Sequence, residues 1–138
     1  MKMTYQYLFI LVALVLIRCN QPTESTPKGA FQYTSYDSSG TPLVAGWFTM
    51  NFLDSVTISG EWHFKPIDSP KNIGPQTGDG NLVGGVHNGQ IWVELNPHFR
   101  DNNLQLSGTL QGDRYSGRWI WISIVGVTNA GSFEAIKK

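Results

Sequence analysis

The sequence predicts an all-β fold, a single antiparallel up-and-down β-barrel of about eight strands, with a β-sandwich as the alternative. From Phe31 onward, polar and apolar residues alternate with the period of two that places them on opposite faces of a strand. Turn-forming residues separate these alternating segments, and a short glycine motif recurs within them. No amphipathic helical pattern of useful length follows residue 20.

Eight strand-like segments can be marked along the chain. They are Phe31–Asp37, Leu43–Phe52, Ser55–Lys65, Asn81–His87, Gln90–Asn96, Asn102–Leu110, Arg114–Ser123 and Asn129–Ile136. Asn88-Gly89 is a two-residue loop suited to a type I′ hairpin, because both residues tolerate a positive φ. Two connections are longer, Pro66–Gly80 and Asn96–Asp101, and such loops are where binding usually occurs.

A glycine motif recurs six times in these segments. Each copy has a small residue, a glycine, any residue and then a bulky apolar residue. The copies begin at Ala45, Ser59, Val83, Ser107, Ser116 and Ala130. The glycine and the bulky residue share a face of the strand, because they are two positions apart. Glycine lets a strand bend as closure into a small barrel demands, and we expect the bulky residue to refill the space.

The alternation predicts which side chains face the barrel interior. The inward set includes Val56, Ile58 and Phe64 with five aromatic residues that are our candidate ligand-binding residues: Trp62, Tyr115, Trp119, Trp121 and Phe133. The only polar group of this inward set is the Tyr115 hydroxyl, so it offers few groups to orient a polar ligand. A packed core is the favoured interpretation, and a site for a small apolar ligand is the alternative.

The N-terminus predicts export. An apolar run of eleven residues, from Tyr7 to Ile17, is too short to span a bilayer and suits a signal peptide over residues 1–18. Cys19 follows directly and is the only cysteine. This segment resembles bacterial lipoprotein signals, which implies that Cys19 is acylated; Arg18 departs from the small residue usual there. Residues 19–30 are then a flexible lipidated tether, and 31–138 the barrel domain. The alternative is an uncleaved signal anchor.

The charge of the mature chain excludes some partners. Without residues 1–18 it has eight basic and ten acidic residues, a net charge of −2. That balance provides no basic surface for nucleic acid and no attraction to anionic lipid. We therefore expect membrane attachment through the lipid alone, facing the periplasm or the cell surface, with no nucleic-acid partner and no cofactor.

The pattern of residues 31–136 resembles the calycin group, which comprises lipocalins, avidins and small barrel-shaped bacterial proteins. Gly46-Trp47 followed by Asn51 is similar to the opening strand of avidins. The resemblance implies a closed barrel and, through lipocalins, apolar ligand binding. It does not extend to the biotin site, because the predicted interior lacks the polar residues that avidins place there.

The residues predict neither a catalytic nor a metal site. Glu61 and His63 share the outer face of one strand, but a zinc site needs three or four converging ligands. A catalytic cleft would need a convergence such as Asp79, His87 and His98. Aspartates at turns, and solvated surface, explain these residues equally well.

Several large apolar residues are predicted on the outer face or in a long loop: Trp47, Trp92, Ile120, Ile122 and Phe99. Either the tether or the long loop covers them, or they form a contact surface. Our leading functional hypothesis is a non-catalytic binding or scaffold module of the cell envelope that presents loops on a small β-barrel to an envelope protein. The alternative is a carrier of a small apolar ligand, and an enzyme ranks third.

Overall fold

Nine strands and no helix make up residues 26–138, which are the residues that the computed structural model describes. The strands are β1 (Phe31–Tyr36), β2 (Pro42–Phe48), β3 (Asn51–Phe52), β4 (Thr57–Pro66), β5 (Gly78–His87), β6 (Gln90–Glu94), β7 (Asn102–Gln111), β8 (Arg114–Ser123) and β9 (Gly126–Lys137). The predicted signal peptide and Cys19 lie outside the described residues. Within those residues, no helix could cross a membrane.

The sheet closes on itself. All pairings are antiparallel, and β9 returns to pair with β1, from Phe31↔Lys137 to Tyr36↔Ser132. β2 pairs directly with β4, so the two-residue β3 lies outside the ring and pairs only with β4. The result is a closed eight-stranded up-and-down barrel, which confirms the predicted fold over the sandwich.

The alternating strand directions sort the connections between two ends of the barrel. The entry end, where the chain enters β1, holds the turns at 53–56, 88–89 and 112–113 and the C-terminal end of β9. The far end holds the turn at 37–41, the long loop 67–77, the loop 95–101 and the turn at 124–125. At the entry end, Gly29 N donates to Lys138 O at 3.0 Å, and Ala30 is fully buried. The last residues of the predicted tether therefore join the barrel.

The predicted segments correspond to the strands with two notable differences. The predicted segment Leu43–Phe52 divides at Thr49-Met50, where Thr49 N donates to Glu61 O at 2.9 Å and Thr49 Oγ1 accepts from Glu61 N at 3.0 Å. The second difference is at β5, which begins at Gly78, so Asp79 lies on a strand rather than in a loop. The predicted type I′ hairpin is present, since Asn88 and Gly89 have φ values of 50° and 76°.

The predicted inward faces are largely confirmed, because Ile58, Phe64, Leu104 and Leu106 are buried. The prediction that Val56 faces the interior is wrong, because Val56 is 57 % exposed. It precedes β4 in a turn that is organised by Asp54, whose carboxylate accepts hydrogen bonds from Val56 N and Thr57 N at 2.8 and 2.7 Å. The alternation of a strand does not extend into such a turn.

Tryptophans fill the space over glycines of neighbouring segments. Trp62 lies opposite Gly80, and Trp119 lies opposite Gly131. A Cβ on Gly131 would come within 2.6 Å of the Trp119 indole nitrogen and 2.0 Å of Tyr36 O. We expected the bulky residue two positions along the same strand to refill the space at each glycine. A tryptophan of the adjacent strand also fills that space.

Candidate functional site

Four of the five predicted ligand-binding residues are part of the packed core. Trp62, Tyr115, Trp119 and Phe133 are almost completely buried. Trp62 Nε1 donates to Leu95 O at 2.8 Å, Tyr115 Oη to Ile91 O at 3.1 Å, and Trp119 Nε1 to Tyr36 O at 2.9 Å. Their polar groups are therefore paired with the backbone rather than directed at a ligand.

Aromatic rings from several strands meet in the barrel interior. Tyr33 stacks on Phe64 with ring centroids 4.2 Å apart, and Tyr115 meets Phe133 edge-on at 4.8 Å. Phe48 lies edge-on to Tyr33, Phe64 and Tyr115 at 6.1 to 6.3 Å. Offset and edge-on contacts at these distances are those of a close-packed aromatic core.

The interior also holds polar groups that the sequence analysis missed. Gln76, from the long loop 67–77, is completely buried, and its Oε1 accepts hydrogen bonds from Ser35 Oγ at 2.9 Å and Tyr33 Oη at 3.4 Å. Its Nε2 donates to Ile73 O at 2.7 Å. The prediction that the Tyr115 hydroxyl is the only interior polar group is wrong for two reasons. Tyr33 and Ser35 place hydroxyls inside from β1, a strand that the predicted inward set did not include, and Gln76 enters from a loop, on which strand alternation carries no information.

Trp121, the fifth candidate, lies half-buried under the same loop. Gly74, with φ +63°, packs so closely on its indole ring that a Cβ there would meet Trp121 Cγ at 2.5 Å. Trp121 Nε1 donates to Asn102 Oδ1 at 3.0 Å, and Asn129 Nδ2 donates to Asn72 O at 2.8 Å. The long loop is therefore bound across the far end of the barrel, and much of its length is engaged with the barrel itself.

A shallow groove of about 520 Å³ lies on the outer face across β2, β4 and β5. Trp47, Glu61, His63, Asp79 and Asn81 line it. Strand register brings them together, since His63 lies opposite both Trp47 and Asp79, and Glu61 lies opposite Asn81. The Trp47 and His63 rings are stacked with centroids 6.1 Å apart. The shared outer face of Glu61 and His63 is as predicted, whereas the approach of Asp79 depends on the register of β5.

Asp79, His87 and His98 do not converge into the cleft that a catalytic site would need. Asp79 and His87 stand at opposite ends of β5, on the far and entry sides respectively. His98 belongs to the loop 95–101 at the far end. Within residues 26–138, no group of three metal-ligating side chains converges. Asp37, like Asp54, is bound within its own turn, where the Ser39 hydroxyl and neighbouring backbone groups lower the pKa of its carboxyl.

Several exposed apolar side chains lie in or beside the loops at the two ends of the barrel. The far-end tip comprises Phe99, Ile124, Val125 and Val127. Ile124 and Val125 are 86 % and 85 % exposed and stand at the centre of the β8–β9 turn, where polar residues and glycine are usual. Trp92, by contrast, lies over Gly85 on the outer face, and its ring there is part of local packing. The far-end tip is therefore the stronger candidate for a contact surface.

Comparison with known proteins does not assign a family. No family model, no curated protein and no solved structure matches this chain.

Proposed function

We propose that this chain is an exported lipoprotein of the cell envelope, acylated at Cys19, whose calycin-like barrel is a non-catalytic binding module. The signal-like residues 1–18, the single cysteine that follows them and the polar stretch after it support the anchor. The barrel begins at Phe31, which leaves a short tether between lipid and domain.

The observation that carries the binding role is the far-end tip. Phe99, Ile124, Val125 and Val127 are each exposed at the end of the barrel opposite to the tether. A tethered domain presents that end away from the membrane, where another envelope protein can reach it. Burial of apolar area of this kind in a partner interface is favourable at about 25 cal/mol per Å² before the costs of association.

The alternative, a carrier with an apolar ligand inside the barrel, has less support. The predicted ligand-binding residues Trp62, Trp119 and Phe133 are buried among other aromatic rings, and the indole nitrogens of the two tryptophans are bonded to the backbone. An eight-stranded barrel is just wide enough for its side chains to fill. The filled interior favours a scaffold over a container.

Two experiments test this proposal. Metabolic labelling with palmitate should mark the wild-type chain and not Cys19→Ser; an unlabelled wild-type chain would remove the anchor. For the binding role, a photo-crosslinking amino acid at Val125 should capture one discrete envelope protein in cells, and the same residue at the exposed Gln90 should not. Failure to capture at Val125, together with saturable quenching of tryptophan fluorescence by a fluorescent fatty acid, would favour the carrier instead.

A further inference from the structure

A second exposed apolar tip lies at the entry end. The entry-end hairpin, which we define as Phe52, Leu53 and Val56, joins β3 to β4, and these side chains are 49 %, 67 % and 57 % exposed. The turn is shaped by Asp54, which accepts hydrogen bonds from Val56 N, Thr57 N and the Thr57 hydroxyl at 2.7 to 3.0 Å. These bonds hold the carboxylate within the turn and fix the position of the apolar side chains around it.

The hairpin is bonded to the neighbouring strand β5. Val56 O accepts a hydrogen bond from Val86 N at 2.9 Å, which joins the turn to β5. The Trp92 ring lies over Gly85, beside Val56 O, and Val83 is exposed on the same face of β5. The hairpin is therefore joined to the region of β5 and β6 where Val83 and Trp92 are exposed among the polar side chains of Ser59 and Glu94.

The chain enters the barrel beside this hairpin. Phe31, at the start of β1, pairs with Phe48 at the end of β2, and their rings stack 5.4 Å apart. β2 then continues through two residues into β3 and the hairpin. The ten residues that follow Cys19 up to Gly29 reach at most about 33–36 Å when fully extended. A lipid on Cys19 therefore keeps the entry end within about 33–36 Å of the bilayer surface, a distance that lets this hairpin reach it.

We infer that the entry-end hairpin rests in the interfacial layer of the phospholipid bilayer and orients the barrel on it; this rests on the proposed lipid anchor. Apolar side chains gain free energy when they leave water for that layer. The tether supplies the high local concentration that lets such a small surface bind. In this orientation the exposed Lys28, Lys137 and Lys138, which belong to the same end, would lie near the headgroups, and the Asp54 charge would limit the depth to the interface.

The contact can be tested without acylation. The mature chain, with an N-terminal hexahistidine tag in place of residues 1–19, is bound to phosphatidylethanolamine–phosphatidylglycerol vesicles that contain a nickel-chelating lipid. The chain then has no native cysteine, so Leu53→Cys or Val125→Cys introduces one thiol for an environment-sensitive fluorophore. We expect a blue-shifted emission at position 53, with several-fold stronger quenching by spin-labelled lipid than at position 125.

Position 125 is a suitable control, since Val125 is even more exposed than Leu53, at 85 % against 67 %, but belongs to the far-end tip. A companion variant, Phe52→Ser with Val56→Ser, should return the signal at position 53 to its value without vesicles, while circular dichroism shows an intact barrel. Water-like emission at position 53, or equal quenching at 53 and 125, would overturn the inference. Because the tag replaces Cys19, such a result is separate from a failure of palmitate labelling, which would contradict the anchor alone.

Discussion

The carboxamide oxygen of Gln76 accepts a hydrogen bond of 2.9 Å from the hydroxyl of Ser35 inside the barrel. Ser35 belongs to β1, and Gln76 belongs to the loop between β4 and β5, so the contact joins elements 41 residues apart in sequence. The same carboxamide oxygen accepts a longer bond from Tyr33, which stacks on Phe64 in the core. The loop across the far end is therefore bonded to the core by one side chain.

Gln76→Ala should destabilise the barrel. The substitution leaves the buried hydroxyls of Ser35 and Tyr33 without their acceptor and opens a cavity, so we expect the free energy of unfolding to fall by about 2–4 kcal/mol. Urea unfolding followed by tryptophan fluorescence measures it. Gln111→Ala, at an exposed strand end, is the control and should change the free energy of unfolding very little. Equal effects of the two substitutions would show that the Gln76 contact contributes nothing.

Gly74→Ala should detach the loop from Trp121. A Cβ at residue 74 would overlap the indole ring, and φ +63° is itself unfavourable for alanine. Gly112→Ala is the matched control, because Gly112 has φ +59° but nothing within 4 Å of the Cβ position. The control should lower the free energy of unfolding by about 1 kcal/mol, because only the backbone is strained. Gly74→Ala should lower it clearly more, because the Cβ also overlaps the indole ring.

Detachment of the loop can also be measured in the folded state, by acrylamide quenching of tryptophan fluorescence. Gly74→Ala should raise the accessibility of tryptophan to acrylamide before unfolding begins, because Trp121 loses its cover. If both variants lose the same stability and quench alike, the packing of Gly74 on Trp121 is not a stabilising contact.

Alkaline pH should destabilise the protein through Tyr33 and Tyr115. Burial raises the pKa of both phenols well above the ordinary value of 10.0, because the phenolate would be desolvated; the neighbouring Tyr33 raises that of Tyr115 further. The unfolded chain releases these protons as the pH passes about 10, while the folded chain retains them. The stability that the two neutral phenols provide is thus full below that pH and is lost as the pH rises, each contributing a slope of about 1.4 kcal/mol per pH unit.

Urea unfolding from about pH 8 to about pH 11 measures this slope. Tyr115→Phe should be less stable than wild type at the lower pH, because it loses the hydrogen bond to Ile91 O, but it should lose less stability as the pH rises. A pH dependence identical to that of the wild type would show that Tyr115 ionises as easily in the folded chain as in the unfolded one.

Trp119→Phe should lower the free energy of unfolding more than Trp92→Phe does. Trp119 is fully buried, fills the space over Gly131 and donates to Tyr36 O, so the smaller ring leaves a cavity and loses this hydrogen bond. We expect a loss of about 2–4 kcal/mol in the free energy of unfolding for Trp119→Phe and less than about 1 kcal/mol for the exposed Trp92→Phe. Thermal unfolding by circular dichroism ranks the two, and a reversed order would contradict the assignment of Trp119 to the core.

The sequence alone determined the features of this protein that depend on local periodicity. The alternation identified the strands and placed Trp62, Tyr115 and Phe133 inside, because the pleat of a strand sends successive side chains to opposite faces. Asn88-Gly89 identified its hairpin, because few residues adopt two successive positive φ angles. Strand order followed from short connections between consecutive segments.

Contacts that depend on strand register or on the path of a loop become apparent only in the folded barrel. Gln76 enters the interior from a loop that has no periodicity, and Asp79 reaches the groove beside Trp47 and His63 because β5 begins earlier than its alternation suggests. Gly131 receives its packing from Trp119 across the sheet, a pairing that a one-residue shift in register would abolish. Cross-strand neighbours are set by the sum of all pairings around a closed barrel, so no single segment contains that information.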